Sequence, residues 1–128
     1  MDKLLYKKEL LGIRIRKLKK GTNPISDENA TLQVMSLNYK KGHDVSAHFH
    51  EPVQRVTQTL QECIVVLRGK VRVDLYGNGK KVLKKVTIKA GEAFVTMSGG
   101  HSVHFLEDSE ILETKNGPFV YDKISIAI

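Results

Sequence analysis

The chain has a single cysteine, Cys63, and no tryptophan. One thiol excludes a disulfide framework within the chain and any zinc-finger spacing of cysteines, and it suits a reducing compartment. Aromatic residues are only 6% of the 128 residues, so the stacking platforms that single-stranded nucleic acid requires are scarce. No apolar run is long enough to cross a bilayer. The opening Met1-Asp2-Lys3-Leu4-Leu5-Tyr6-Lys7-Lys8 lacks the apolar stretch of a signal peptide. There is no phosphate-binding glycine loop leading into a helix and no Gly-x-Ser-x-Gly elbow. The expectation is a cytoplasmic protein whose partners include no nucleic acid and no membrane.

What is present is ordinary globular composition, 41% hydrophobic and 27% charged, which argues against wholesale disorder. The length predicts one domain, 1–128, able to bury its own core. The net charge of +7 admits an anionic partner such as a phosphorylated small molecule. The tightest lysine cluster (Lys80, Lys81, Lys84, Lys85 and Lys89) nevertheless surrounds a hairpin, where lysine serves as solvated surface and guards exposed strands.

Most of the chain alternates with period two, the pattern of half-buried strands. Leu32 to Tyr39, Val71 to Tyr76, Val82 to Ile88, Ala93 to Val95 and Val103 to Phe105 read this way, and Ile64 to Leu67 is an apolar run bounded by Gly69. Ile124, Ile126 and Ile128 predict a closing strand. Gly77-Asn78-Gly79 contains the strongest short hairpin signal, and further glycines punctuate the other breaks. Many short strands predict an all-β sandwich or jelly roll. Leu4, Leu5, Leu10 and Leu11 fit a helical face, whereas Ile13, Ile15 and Leu18 fit a strand. Thr22 to Asp27 reads as a loop.

Five histidines stand out. His48-Phe49-His50 would place two imidazoles on one face of a strand, a pair suited to a divalent first-row metal. A third ligand must then come from elsewhere. Glu62 heads a buried apolar run, where a carboxylate is costly unless paired or metal-bound. His101 follows Ser98-Gly99-Gly100, a turn able to aim it inward. Glu51 is a rival carboxylate, and His104 is an alternative to His101. Cys63 alternates with Glu62 and reads as a buried small hydrophobe. Arg55, Gln58 and Gln61 lie in the long connection from Glu51 to Gln61, where they would reach a polar ligand or simply be solvated.

These residues resemble the cupin superfamily. Gly42, five residues, then His48-Phe49-His50 match the first half of its first motif, and Glu62, six residues, then Gly69 match the second half. Gly91, Met97 in place of a proline, Gly99 and His101 follow the second motif, with the turn one residue short. The gap from His50 to Glu62 is longer than usual. The similarity spans about Leu32 to Lys115 and extends to a subgroup of small single-domain cupin-fold metalloproteins, some linked to nucleotide-sugar or surface-polysaccharide metabolism.

The resemblance implies a double-stranded β-helix, a jelly-roll barrel, with its core at roughly 31–115. N-terminal strands or a short helix would precede this core and a C-terminal strand would follow it. It implies one divalent metal ion (iron, manganese, nickel or zinc) on His48, His50, Glu62 and His101, and it implies a homodimer. Arg55, Gln58 and His104 are candidate pocket residues. The expected function is a metal-dependent enzyme, of oxygenase or isomerase type, acting on a small polar molecule. The alternatives are a non-enzymatic sugar-binding module and a metal-free sugar-nucleotide isomerase or epimerase with a histidine base.

Overall fold

Period-two alternation and frequent turns give ten strands and, among the described residues, no helix. The computed structural model describes residues 1–127. In chain order the strands are β1 (Asp2–Tyr6), β2 (Glu9–Ile15), β3 (Gly21–Pro24), β4 (Met35–Asn38), β5 (Glu62–Arg68), β6 (Lys70–Tyr76), β7 (Val82–Lys89), β8 (Ala93–Thr96), β9 (Gly100–Phe105) and β10 (Glu110–Lys115). They form a five-stranded sheet ordered β1-β2-β8-β5-β10, a three-stranded sheet ordered β7-β6-β9, and the separate pair β3-β4. Every pairing is antiparallel. Among the described residues none of the sheets closes on itself.

The all-β expectation is met, but several element boundaries differ. The N-terminal leucines form no helical face. Leu5 pairs with Leu10 across the β1–β2 hairpin, whose turn residues Lys7 and Lys8 both take positive φ, as a tight two-residue hairpin requires. Thr22 to Pro24 is strand β3 rather than loop, because it pairs with Met35 to Ser36 and Leu37. His48-Phe49-His50 lies on no strand, since the connection from Tyr39 to Gln61 has no regular structure. The expected closing strand does not form over residues 119–127, and Ile128 lies outside the described residues. Ile126 instead lies close to Gly100, beside Tyr76.

The five-stranded sheet is buried on both faces at its centre. On one face Ile64, Val66, Leu11 and Phe94 pack against Val71, Val73, Leu75, Val86 and Ile88 of the three-stranded sheet. On the other, Ile13, Ile15, Cys63 and Val95 are covered by Ile25, Leu32 and Val34 from the stretch around the β3–β4 connection. Cys63 thus sits in apolar surroundings and burial pushes its thiol pKa up, which makes it a poor nucleophile. Each fully buried aliphatic side chain stabilises this arrangement by about 1.5–3 kcal/mol.

Two glycines steer the chain between the sheets. β5 belongs to one sheet and β6 to the other, with only Gly69 between them. Gly69 has φ +90°, and an added Cβ would run into Asp108 and Ser109. Gly99, φ +75°, makes the return from β8 to β9, and an added Cβ there would run into the carbonyl of Tyr76. Because left-handed backbone and close approach coincide at Gly69, Gly69→Ala is expected to lower unfolding free energy by about 1–3 kcal/mol, measured by urea denaturation. A loss near zero would mean that this corner relaxes freely.

Candidate functional site

Glu62 is the first residue of β5, and its side chain faces the three-stranded sheet, in line with Ile64. The register with β8 and β10 fixes it: the Glu62 N–H donates to Thr96 Oγ1 at 2.9 Å, and Lys115 stands directly opposite on β10. The carboxylate is only 9% exposed, so it needs partners. It has two. His101 Nε2 lies 3.0 Å from Oε2, and Lys115 Nζ lies 3.8 Å from Oε1. An ionised carboxylate only accepts, so in this contact His101 carries its hydrogen on Nε2.

His101 reaches Glu62 because β9 pairs with β6 in the register His101 to Leu75 and Val103 to Val73, which turns odd-numbered residues of β9 toward the interior. His104 therefore points the other way. Its Nε2 lies 3.2 Å from Asp74 Oδ2 and 3.1 Å from Ser102 Oγ, on the outer face of the three-stranded sheet. Both neighbours meet the same ring nitrogen, whereas a serine–histidine–aspartate relay needs them on opposite nitrogens. Asp74 is buried and takes two hydrogen bonds from Arg72, at 2.7 and 3.1 Å. The Arg72 guanidinium holds the Asp74 carboxyl below its ordinary range, against the opposing effect of burial.

His48 and His50 converge on each other in the exposed connection. Their Nε2 atoms are 3.2 Å apart, and the rings meet edge to face with centroids at 4.9 Å. His48 Nδ1 lies 2.6 Å from the Ser46 carbonyl, which can only accept. The Nδ1 hydrogen is thereby fixed, and the neutral ring keeps a lone pair on Nε2. Metal-ligating histidines use this same arrangement, with the distal nitrogen tied to a carbonyl.

The four residues thus form two pairs, Glu62 with His101 and His48 with His50. Among the described residues no three His, Cys, Asp or Glu side chains surround one point that a metal ion would fill. The donor chemistry of each pair suits a divalent first-row ion, one carboxylate and three imidazoles in total. Between the sheets, Glu62, Thr96 and His101 cap a cavity of about 10 Å³ floored by Ile64, Val73, Phe94 and Val103, the size of a single water or ion. Arg55 is exposed and donates to the Val53 carbonyl at 3.2 Å. Gln58 and Glu51 are exposed in the same connection. None of these three, nor His104, lines the cavity.

Gln61 is structural. Its buried amide accepts from Leu32 N–H at 2.9 Å and donates to the Met97 carbonyl at 3.1 Å. Asn116 accepts the Gln61 N–H at 3.0 Å and donates to Thr57 Oγ1 at 3.1 Å and the Thr59 carbonyl at 3.3 Å, anchoring the end of the connection beside Glu62. Sequence reasoning missed two further members of the site, Glu113 and Lys115. Lys115 Nζ also lies 3.9 Å from Glu113 Oε2. Burial, together with the neighbouring Glu62 carboxylate, pushes the Glu113 carboxyl above its ordinary range. Alternation along Glu110 to Lys115 was the available signal, but the register with β5 was needed to place them.

The chain matches no protein-family model, no curated protein and no solved structure.

Gln61→Leu should lower stability by about 1–3 kcal/mol, because the Leu32 N–H and the Met97 carbonyl lose their partner; chemical denaturation reads this directly. Asp74 gives a pH signature. With its folded pKa below the ordinary 3.8, its stabilisation is present above that value and lost as pH falls below it. Thermal melts of Asp74→Asn should show a lower Tm at pH 7 and a shallower decline below pH ~4 than the wild type. Parallel curves would assign the acid sensitivity to other groups.

Proposed function

We propose that this chain is a small metal-binding protein of the cupin type, in which Glu62, His101, His48 and His50 would hold one divalent metal ion. The observation that carries this reading is the buried Glu62 carboxylate, which meets His101 from the facing sheet at 3.0 Å. Two donors from opposite sheets at the head of a cavity of single-ion size would supply half of such a site. The tautomer of His48 supports the other half. The four glycines at the motif positions, Gly42, Gly69, Gly91 and Gly99, all take left-handed φ, which is the backbone reason for glycine in such a motif.

The connection has the reach to complete the set. Thr57, which Asn116 anchors, comes seven positions after His50, and seven steps of chain extend at most about 25 Å. The same connection leaves Phe49 wholly exposed and Val45, Val53 and Val56 largely so, apolar surface that favours docking. Folding it onto the open edges would supply the strands that a double-stranded β-helix needs.

A bound iron, manganese, nickel or zinc ion would supply Lewis-acid polarisation, or redox chemistry in the case of iron. The chain's own contribution is an apolar floor of Ile64, Val73 and Phe94 beneath the donors and a His101 ring oriented by Glu62. We take the protein to be a metal-dependent enzyme acting on a small polar molecule. The resemblance points toward nucleotide-sugar or surface-polysaccharide metabolism, by analogy of fold.

The Glu62–His101 contact also favours a second reading, a metal-free isomerase or epimerase with His101 as base and Glu62 orienting it. Metal content separates the two. Wild type purified without chelator should carry near-stoichiometric divalent metal, and His50→Ala and Glu62→Ala should each lose it, by elemental analysis. Wild type that takes up no iron, manganese, nickel or zinc on reconstitution would overturn the metal reading and leave the second one.

A further inference from the structure

One lysine reaches the buried Glu62 carboxylate. Lys115 is paired with Glu62 across β10 and β5, and Glu113 with Ile64. All four side chains therefore share the inner face. The Lys115 ammonium stands between two carboxylates, 3.8 Å from Glu62 and 3.9 Å from Glu113. Its side chain is 36% exposed while that of Glu62 is 9% exposed. It is thus the solvent-facing cation over a carboxylate that points inward.

We propose that Lys115 is the residue that selects the ligand, receiving the oxyanion group (carboxylate or phosphate) of a small molecule whose neighbouring polar atoms meet the ion on Glu62 and His101. This rests on the metal reading above. The electrostatics are direct. In the metal-free chain Glu62 and Glu113 neutralise Lys115, and an anion gains little there. A divalent cation on Glu62 satisfies that carboxylate and repels the ammonium from it. Glu113 remains as the second anchor, so the ammonium stays at the rim rather than swinging free. The rim then carries excess positive charge, and an anionic ligand restores the balance. A lysine suits this role, being a compact charge on a flexible stem.

The test uses manganese-loaded full-length protein, with bound manganese measured for every sample and labelled inorganic phosphate as the probe in equilibrium dialysis. Wild type should bind phosphate when loaded and at least tenfold more weakly when metal-free. Lys115→Met should keep its manganese and lose phosphate affinity by at least tenfold, and Lys115→Arg should retain most of it. Equal phosphate binding by loaded wild type and Lys115→Met, or equal binding with and without metal, overturns the proposal. Loaded wild type that binds no phosphate overturns it while the metal reading stands. Wild type that takes up no manganese, iron, nickel or zinc overturns both. If Lys115→Met fails to fold, loss of phosphate binding in Lys115→Gln with manganese retained supports the proposal, and retained binding overturns it.

Discussion

Strand β5 has no solvent side along most of its length. It lies between β8 and β10 in the larger sheet, with Ile64 and Val66 in one apolar cluster and Cys63 in the other. A strand enclosed in this way cannot slip by one residue without exchanging its two apolar sets and moving Glu62 from a polar rim into the second core. The register of β5 therefore fixes the position of the candidate site. Gly69 then carries the chain out of β5 into the facing sheet, with no room for a side chain.

From that register follows an uncommon local balance of charge. A carboxylate at the head of a buried strand is stable only with partners, and it draws them from two different strands, His101 from β9 and Lys115 from β10. Glu113 adds a second carboxyl whose proton affinity is raised by the same burial. The result is a compact group of two carboxyls, an imidazole and an ammonium at one end of the sandwich. On the far side of the smaller sheet Asp74 solves the same problem differently. Its main partner, Arg72, makes a two-point contact from the same strand, and His104 of β9 adds a further contact.

The connection from Tyr39 to Gln61 is held firmly at its end and loosely elsewhere. Asn116 and Gln61 fix its last residues against β10 and the Leu32 segment, while Phe49 lies in solvent between two histidines that face each other. The segment is thus anchored at its Gln61 end and carries exposed apolar and histidine side chains in its middle.

Local pattern in the sequence was enough for the all-β class, for the β6–β7 hairpin at Gly77-Asn78-Gly79, and for the buried character of Ile64, Val66, Val71, Val73 and Phe94. These depend on alternation and turn chemistry, which act within a few residues. Glu62 and His101 were also legible as a pair of interest, because a carboxylate opening an apolar run and a histidine after two glycines are both local anomalies. Pairing between distant strands was not legible. Helical and extended patterns competed at Leu4 to Leu11 until Lys7-Lys8 closed a hairpin. Ile124 and Ile126 alternate like a strand, yet no neighbouring strand pairs with them. The choice between His101 and His104 waited on the alignment of β9 with β6, and Lys115 and Glu113 entered the site only through the alignment of β10 with β5. Strand register depends on which buried surfaces fit across the sheet, so tertiary packing, and no local sequence signal, decided it.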